Sequence, residues 1–307
     1  MIKRRNLLQW SAGMGTMLLL DARWALPARA QSAGITVQAI NPDLALIAGN
    51  GGNVLVRKAS NGELLAVDGG QSANAASLFD SIRNTLGSDR ITTLINTHWH
   101  HEQTGLNEVL GERGIRIFAH ENTRQWLGTR ITRPWETTVF EPLSAAAQPN
   151  EVFYHYGEFA HGDVPVEYGH LRQAHTDGDM YVFLPQDNVL HTGGCIASDG
   201  WPLLDWWTGG WIGGLVDGIE TLLSIANDST VIVPAHGPVM TKADLAVLRD
   251  MYTEIFGAVR TNFMSAFSVP ETLAAKPAGA YEARFGNADQ FIELSHWSLI
   301  PHYTPDA

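Results

Sequence analysis

Past residue 34 the chain alternates apolar and polar positions in short runs bounded by Gly, Pro and Asn. This period of two predicts strands over residues 35–40, 44–48, 53–58 and 64–67, with Gly49, Gly51 and Gly52 turning the second into the third. The period then lengthens. Over 72–86, Leu78, Ile82 and Leu86 recur on one helical face. Residues 91–96 read as a buried strand that runs directly into a histidine-rich segment. A short helix from Gly105, a strand over 115–119 and a helix from Asn122 follow, and 129–150, rich in Pro, Ala and Thr, reads as loop. Further strands are predicted at 151–156, 164–168, 171–174, 181–184, 189–192 and 231–233, with helices at 213–227 and 241–260. The tail from Thr261 is weakly patterned, with a helix expected within 288–300.

Strands interleaved with helices make an α/β fold. The 307 residues suffice for one large or two small domains, and no repeat or long linker divides them. We therefore expect one domain over 31–260 and an extension, 261–307, packed upon it. The first 30 residues look like a cleaved export signal: Lys3, Arg4 and Arg5, then a mildly apolar stretch, then Ala28-Arg29-Ala30. The segment Arg4-Arg5-Asn6-Leu7-Leu8 resembles a twin-arginine signal, which predicts a periplasmic or secreted protein. The apolar stretch is shorter than the ~20 residues a membrane span needs, so no stable membrane insertion is expected. Cleavage would remove five positive charges and one negative, taking the net charge from −12 to −16. Such an acidic chain is not built for nucleic acid, and a small-molecule partner is expected. The oligomeric state is not legible.

Donor residues stand just past four apolar runs. Thr97-His98-Trp99-His100-His101-Glu102 follows the first, and Ala174-His175-Thr176-Asp177-Gly178-Asp179 contains the second. The third ends in Gly193-Gly194-Cys195 and the fourth in His236-Gly237. Two imidazoles two residues apart can converge on one ion, and a nearby carboxylate adds an oxygen donor. Each cluster alone could be surface histidines. Four at strand ends point to a metal. Cys195 is the only cysteine, so the chain makes no internal disulfide, and a bound metal would shield its thiol.

From Ala39 to Arg260 these motifs resemble the metallo-β-lactamase superfamily. The resemblance implies a four-layer αβ/βα sandwich. It implies one zinc on His98, His100 and His175, and a second on Glu102, Cys195 and His236, since Gly-Gly-Cys is typical of the subclass with three-His and Asp-Cys-His sites. Two positions depart from the family. Glu102 stands where the family has Asp, and the added bond, ~1.5 Å, predicts a weaker second site. Gln103 stands where many relatives have His; its amide can donate a hydrogen bond instead. Ser198 occupies a position where similar β-lactamases often carry a substrate-gripping Lys, which weakens the case for β-lactams.

The resemblance implies a zinc-dependent hydrolase of a cyclic amide, lactone, ester or thioester. Zinc would activate the attacking water and Glu102 would orient it. The alternatives are a non-catalytic zinc-binding or sensing protein of the same fold, and a metal-dependent oxidoreductase with iron in the same ligands. His101 is expected to be a non-ligand, His120 to pack or support a ligand, His191 to line the pocket, and His155, His161 and His170 to lie on the surface. Trp201, Trp206, Trp207 and Trp211 either fill the core beneath a long loop or wall the metal site.

Overall fold

The computed structural model describes residues 34–49 and 51–304. The expected export signal, 1–30, lies outside the described residues. Five elements open the first sheet's half: β1 (Thr36–Asn41), β2 (Leu44–Ala48), β3 (Val54–Lys58), β4 (Leu64–Val67) and α1 (Ala75–Leu86). β5 (Ile91–Asn96), α2 (Asn107–Gly111), β6 (Arg116–His120) and α3 (Glu121–Leu127) continue it. A small hairpin, β7 (Ile131–Thr132) and β8 (Val139–Phe140), precedes β9 (Glu151–Phe153). The second half holds β10 (Tyr156–His161), β11 (Val164–His170), β12 (Met180–Leu184), β13 (Val189–His191), α4 (Ile212–Ile225), β14 (Val231–Val233) and α5 (Lys242–Met264). Four short helices close the chain: α6 (Val269–Ala274), α7 (Glu282–Phe285), α8 (Asp289–Ser298) and α9 (Ile300–Tyr303).

One sheet runs β1-β2-β3-β4-β5-β6-β9 and the other β10-β11-β12-β13-β14. Neighbours are antiparallel except β4 to β5, β5 to β6, β6 to β9 and β13 to β14, where a crossover makes them parallel. The alternation along each strand sorts its residues between two cores. On β2, Leu44 and Leu46 face an inter-sheet core with Val182 and Leu184 of β12. Ala45 and Ile47, between them, join Leu78 and Ile82 of α1 in an outer core. A third core covers the second sheet's far face with α4, α5 and α8. The order is helix, sheet, sheet, helix: a four-layer αβ/βα sandwich.

Three expectations need correction. The predicted strand over 151–156 is two strands in different sheets, β9 and β10, because the chain crosses between them at Tyr154 and His155. The strand predicted over 171–174 is a turn, with Leu171 N–H donating to Asp179 O at 2.8 Å and Ala174 N–H to Leu171 O at 3.3 Å. His161, expected at the surface, is buried with its ring 3.1 Å from Thr93 Oγ1 of β5. The tail contributes Phe285, Phe291, Ile292 and Leu294 to the same core as Leu215 and Tyr252.

Candidate metal centre

β5 delivers its chain to Asp68, the residue after β4. The Thr97 N–H donates to Asp68 Oδ1 and its hydroxyl to Oδ2, each at 2.8 Å. Beyond this anchor Trp99 is fully buried and its indole donates to Thr208 Oγ1 at 3.0 Å. The flanking His98 and His100 rings stand edge to face, 4.9 Å apart. His175 comes from the turn between β11 and β12, gathered by the buried Asp179 carboxylate. Asp179 accepts from the N–H groups of His175 and Thr176 at 2.6 and 2.9 Å, and from the Thr176 hydroxyl at 2.6 Å.

Each imidazole has one nitrogen committed to an oxygen. His98 Nδ1 lies 2.9 Å from Thr97 Oγ1, whose own proton goes to Asp68. His100 Nε2 is 3.0 Å from Asp205 Oδ2, and His175 Nδ1 is 2.7 Å from Asp179 Oδ1. The Asp205 and Asp179 carboxylates, which only accept, favour ring protons on His100 Nε2 and His175 Nδ1, although Arg133 Nη1, which only donates, also reaches His100 Nε2 at 3.2 Å. In that tautomer His100 Nδ1 and His175 Nε2 face each other at 3.3 Å with a lone pair on each while His175 is neutral. Two lone pairs so close repel unless a cation shares them. One donor atom from each of His98, His100 and His175 lies within 4.8 Å of the others, and all three residues are buried. Three imidazoles, each oriented by an oxygen behind it, form a donor set that fits zinc.

The local field agrees. Burial, with His175 and His100 beside it, holds His98 well below its ordinary pKa and therefore neutral. Burial also opposes charge on His175, but the Asp179, Asp205 and Glu102 carboxylates outweigh it and raise its pKa. The cluster attracts positive charge.

The remaining sequence candidates divide. Glu102 reaches the cluster: its Oε1 is 3.6 Å from His100 Nδ1. Burial would raise its pKa, yet His100, His236 and Arg133 hold it below the usual range, so it is ionised. His236 is half-buried and close enough to feel Glu102 and Asp199. Its loop is tied down by Asn53 Nδ2, which donates to Pro234 O and Gly237 O at 2.8 Å each. Cys195 is not brought to the cluster. Its Sγ points at α4, 4.0 Å from Leu215 O, within the third apolar core. Burial pushes the thiol pKa well up, which disfavours the thiolate a metal needs. The expected second site on Glu102, Cys195 and His236 is therefore not assembled.

The Gly-Gly-Cys turn has another structural reason. Gly193 sits at φ +59°, and a Cβ on Gly194 would fall 2.0 Å from His175 Cε1. The turn makes room for the imidazole. Ser198, by its hydroxyl, ties to Pro238 O at 2.8 Å.

Elsewhere, His101 packs on Phe140, 4.9 Å between centroids. His120 caps α3 by accepting from Asn122 N–H and stacks on His170 at 3.8 Å. His191 is buried, and its Nδ1 accepts from Gly193 N–H at 3.2 Å. The tryptophan loop splits. Trp201 stacks on Phe291 and Trp211 packs on Phe256, both in the core. Trp206 packs against the same core and also meets Trp135, Trp207 and Trp297 near the Arg133 side chain, while Trp207 is exposed.

Sequence reasoning missed Asp68, Asp205 and Arg133, and gave Asp179 no role. Only Asp179 had a local signal, four residues after His175. Asp205 and Arg133 lie 105 and 33 residues from His100.

The chain's residues 48–236 match the model of the metallo-β-lactamase superfamily. Among solved structures, a metallo-β-lactamase from Pontibacter korlensis is 19% identical, with TM-score 0.56 over 72% of this chain and 99% of that one. Metallo-β-lactamase IND-7 gives 17% identity and TM-score 0.57 over 73% of this chain and 100% of its own. The sec-alkylsulfatase Pisa1 from Pseudomonas sp. gives 14% and 0.64 over 89% of this chain and 51% of its own. At these identities the neighbours share a fold, and their agreement with the family match and the histidine cluster leads to one conclusion: the chain belongs to the metallo-β-lactamase superfamily.

Proposed function

We propose that this protein is a zinc-dependent hydrolase with one ion on His98, His100 and His175. The observation that carries this reading is the convergence of one donor nitrogen from each of three buried imidazoles, His98, His100 and His175, within 4.8 Å of one another. A zinc ion there supplies a Lewis acid and a water that ionises near neutral pH. The chain's own groups do the rest. Thr97, Asp205 and Asp179 fix the imidazole tautomers, and Glu102, ionised beside His100, accepts and returns the proton of the attacking water. Substrates fitting this chemistry are esters, thioesters, lactones and amides. No cation stands at Ser198, so a substrate carboxylate has no grip there, which disfavours β-lactams.

Sulfate esters form a second reading, because the alkylsulfatase fold covers more of this chain than the β-lactamases do. The protein acts after export, from the residue 1–30 signal. The test is a zinc-loaded preparation offered chromogenic carboxylic esters, thioesters, lactones, β-lactams and sulfate esters. Turnover of a carbonyl substrate that disappears in His175→Ala supports the proposal. Zinc binding without turnover of any class would favour the non-catalytic sensor, and iron as the bound metal would favour the oxidoreductase.

A further inference from the structure

We propose that Arg133 is a positioning residue for the metal centre, holding the Asp205 carboxylate against His100 and so fixing which imidazole nitrogen faces His175. This rests on the metal-site reading above and extends it to a residue from a distant hairpin.

Arg133 directly follows β7. Its side chain is 7% exposed. The guanidinium carbon lies 4.6 Å from the Phe140 ring centroid, 5.3 Å from Trp99 and 5.6 Å from Trp135. Burying a cation in an aromatic box is costly unless it is paired. Arg133 has two anions: Nε donates to Glu136 within its own hairpin, and Nη1 donates to Asp205 Oδ2 at 3.2 Å.

Asp205 is the more demanding partner. Its side chain has no solvent exposure. Oδ1 accepts from Thr208 N–H at 3.2 Å, while Oδ2 takes both His100 Nε2–H, at 3.0 Å, and Arg133. The same Nη1 also lies 3.2 Å from His100 Nε2 and donates to that nitrogen whenever it is unprotonated, so Asp205 and Arg133 compete for it. Without the guanidinium, this carboxylate keeps only neutral donors in a dry site. Leaving a buried ion without its counter-charge is the expensive way to break such a pair. The carboxylate would turn away, and the Nε2–H of His100 would lose its acceptor. His100 could then carry its proton on Nδ1, the atom facing His175, where it would exclude the metal. Outer partners of this kind typically change metal affinity by about 10–100-fold.

Glu136 allows the alternative to be tested, because it shares Arg133 but not Asp205. If Arg133 merely pins the hairpin, Glu136 should matter as much as Arg133. The experiment compares parent, Arg133→Met, Arg133→Lys and Glu136→Gln in the full chain. Zinc affinity is read by competition with a chromophoric chelator. The His100 tautomer is read by nitrogen-15 NMR of the zinc-free protein. We expect Arg133→Met to weaken zinc by about 10–100-fold and to mix the His100 tautomers. Arg133→Lys, which keeps the charge but not the planar fork, should fall between, and Glu136→Gln should match the parent in both readouts. Unchanged zinc affinity and tautomer in Arg133→Met would overturn the proposal, as would an equal loss in Glu136→Gln. If the parent binds no zinc, the metal reading fails, and the tautomer measurement still decides the role of Arg133.

Discussion

Gly194 and Cys195 are neighbours with opposite relations to the metal centre. Gly194 lies against the His175 ring, where an added Cβ would come within 2.0 Å. Gly194→Ala is expected to displace the imidazole, cutting bound zinc, measured by elemental analysis, and slowing hydrolysis by about 100-fold, the scale of a misplacement of ~1 Å. Cys195 faces α4 and the apolar core. Cys195→Ala should leave zinc content and turnover unchanged and cost only about 1 kcal/mol in denaturant unfolding. Loss of zinc from this variant would return the sulfur to the ligand set. Sequence alone did not separate these roles. The motif was visible, but the direction of Sγ depends on α4, whose Leu215 and Gly218 approach it from beyond the next loop.

Among elements, the turn carrying His175 is the least like its sequence. The segment 171–174 reads as a strand, but its two buried residues, Leu171 and Ala174, are three apart and so would fall on opposite faces of one. The Asp179 carboxylate diverts it by collecting four donors from His175 and Thr176. Local side-chain bonds of this kind compete with strand pairing, and periodicity does not register them. Asp179→Ala should therefore both loosen the turn and free the His175 ring. Removing one partner from such a buried network typically costs about 3–5 kcal/mol, readable by urea unfolding of the zinc-free protein. An effect below ~1 kcal/mol would mean that the turn is held by something else. Most strands and the longer helices, by contrast, followed from alternation and helical spacing. The hairpin at β7–β8 did not, because its strands are two residues each.

Across the whole molecule, acid stability should reflect histidines that folding holds neutral. Burial and the stacked His170 press His120 down to about 4, and burial alone presses His191 to about 4. Unfolded, both take up protons near pH 6.5. The unfolded state therefore binds more protons between about 6.5 and 4, and folding loses stability as pH falls through that window. His120→Asn keeps an oxygen to cap α3 while removing one titrating group. Its thermal midpoint should fall less steeply than the parent's from pH 6.5 to 4. An equal slope would place the acid sensitivity elsewhere.

The four-layer order was legible only through family resemblance, because strand patterns do not reveal which sheet a strand joins. His98 and His100 were legible from their spacing and His175 through the family resemblance, yet the roles of the carboxylates that orient His100 and His175 were not. Asp205 and Asp179 act across the fold or within a turn, and neither position has a sequence period.

One measurement bears on the metal assignment more directly than any rate. X-ray absorption at the zinc edge of the purified protein reads the donor atoms themselves. His98, His100 and His175 as ligands give three nitrogens at ~2.0–2.1 Å, with any further donor an oxygen, and no sulfur at ~2.3 Å. A sulfur shell at that distance, or fewer than two histidine nitrogens, would contradict the centre described for this protein.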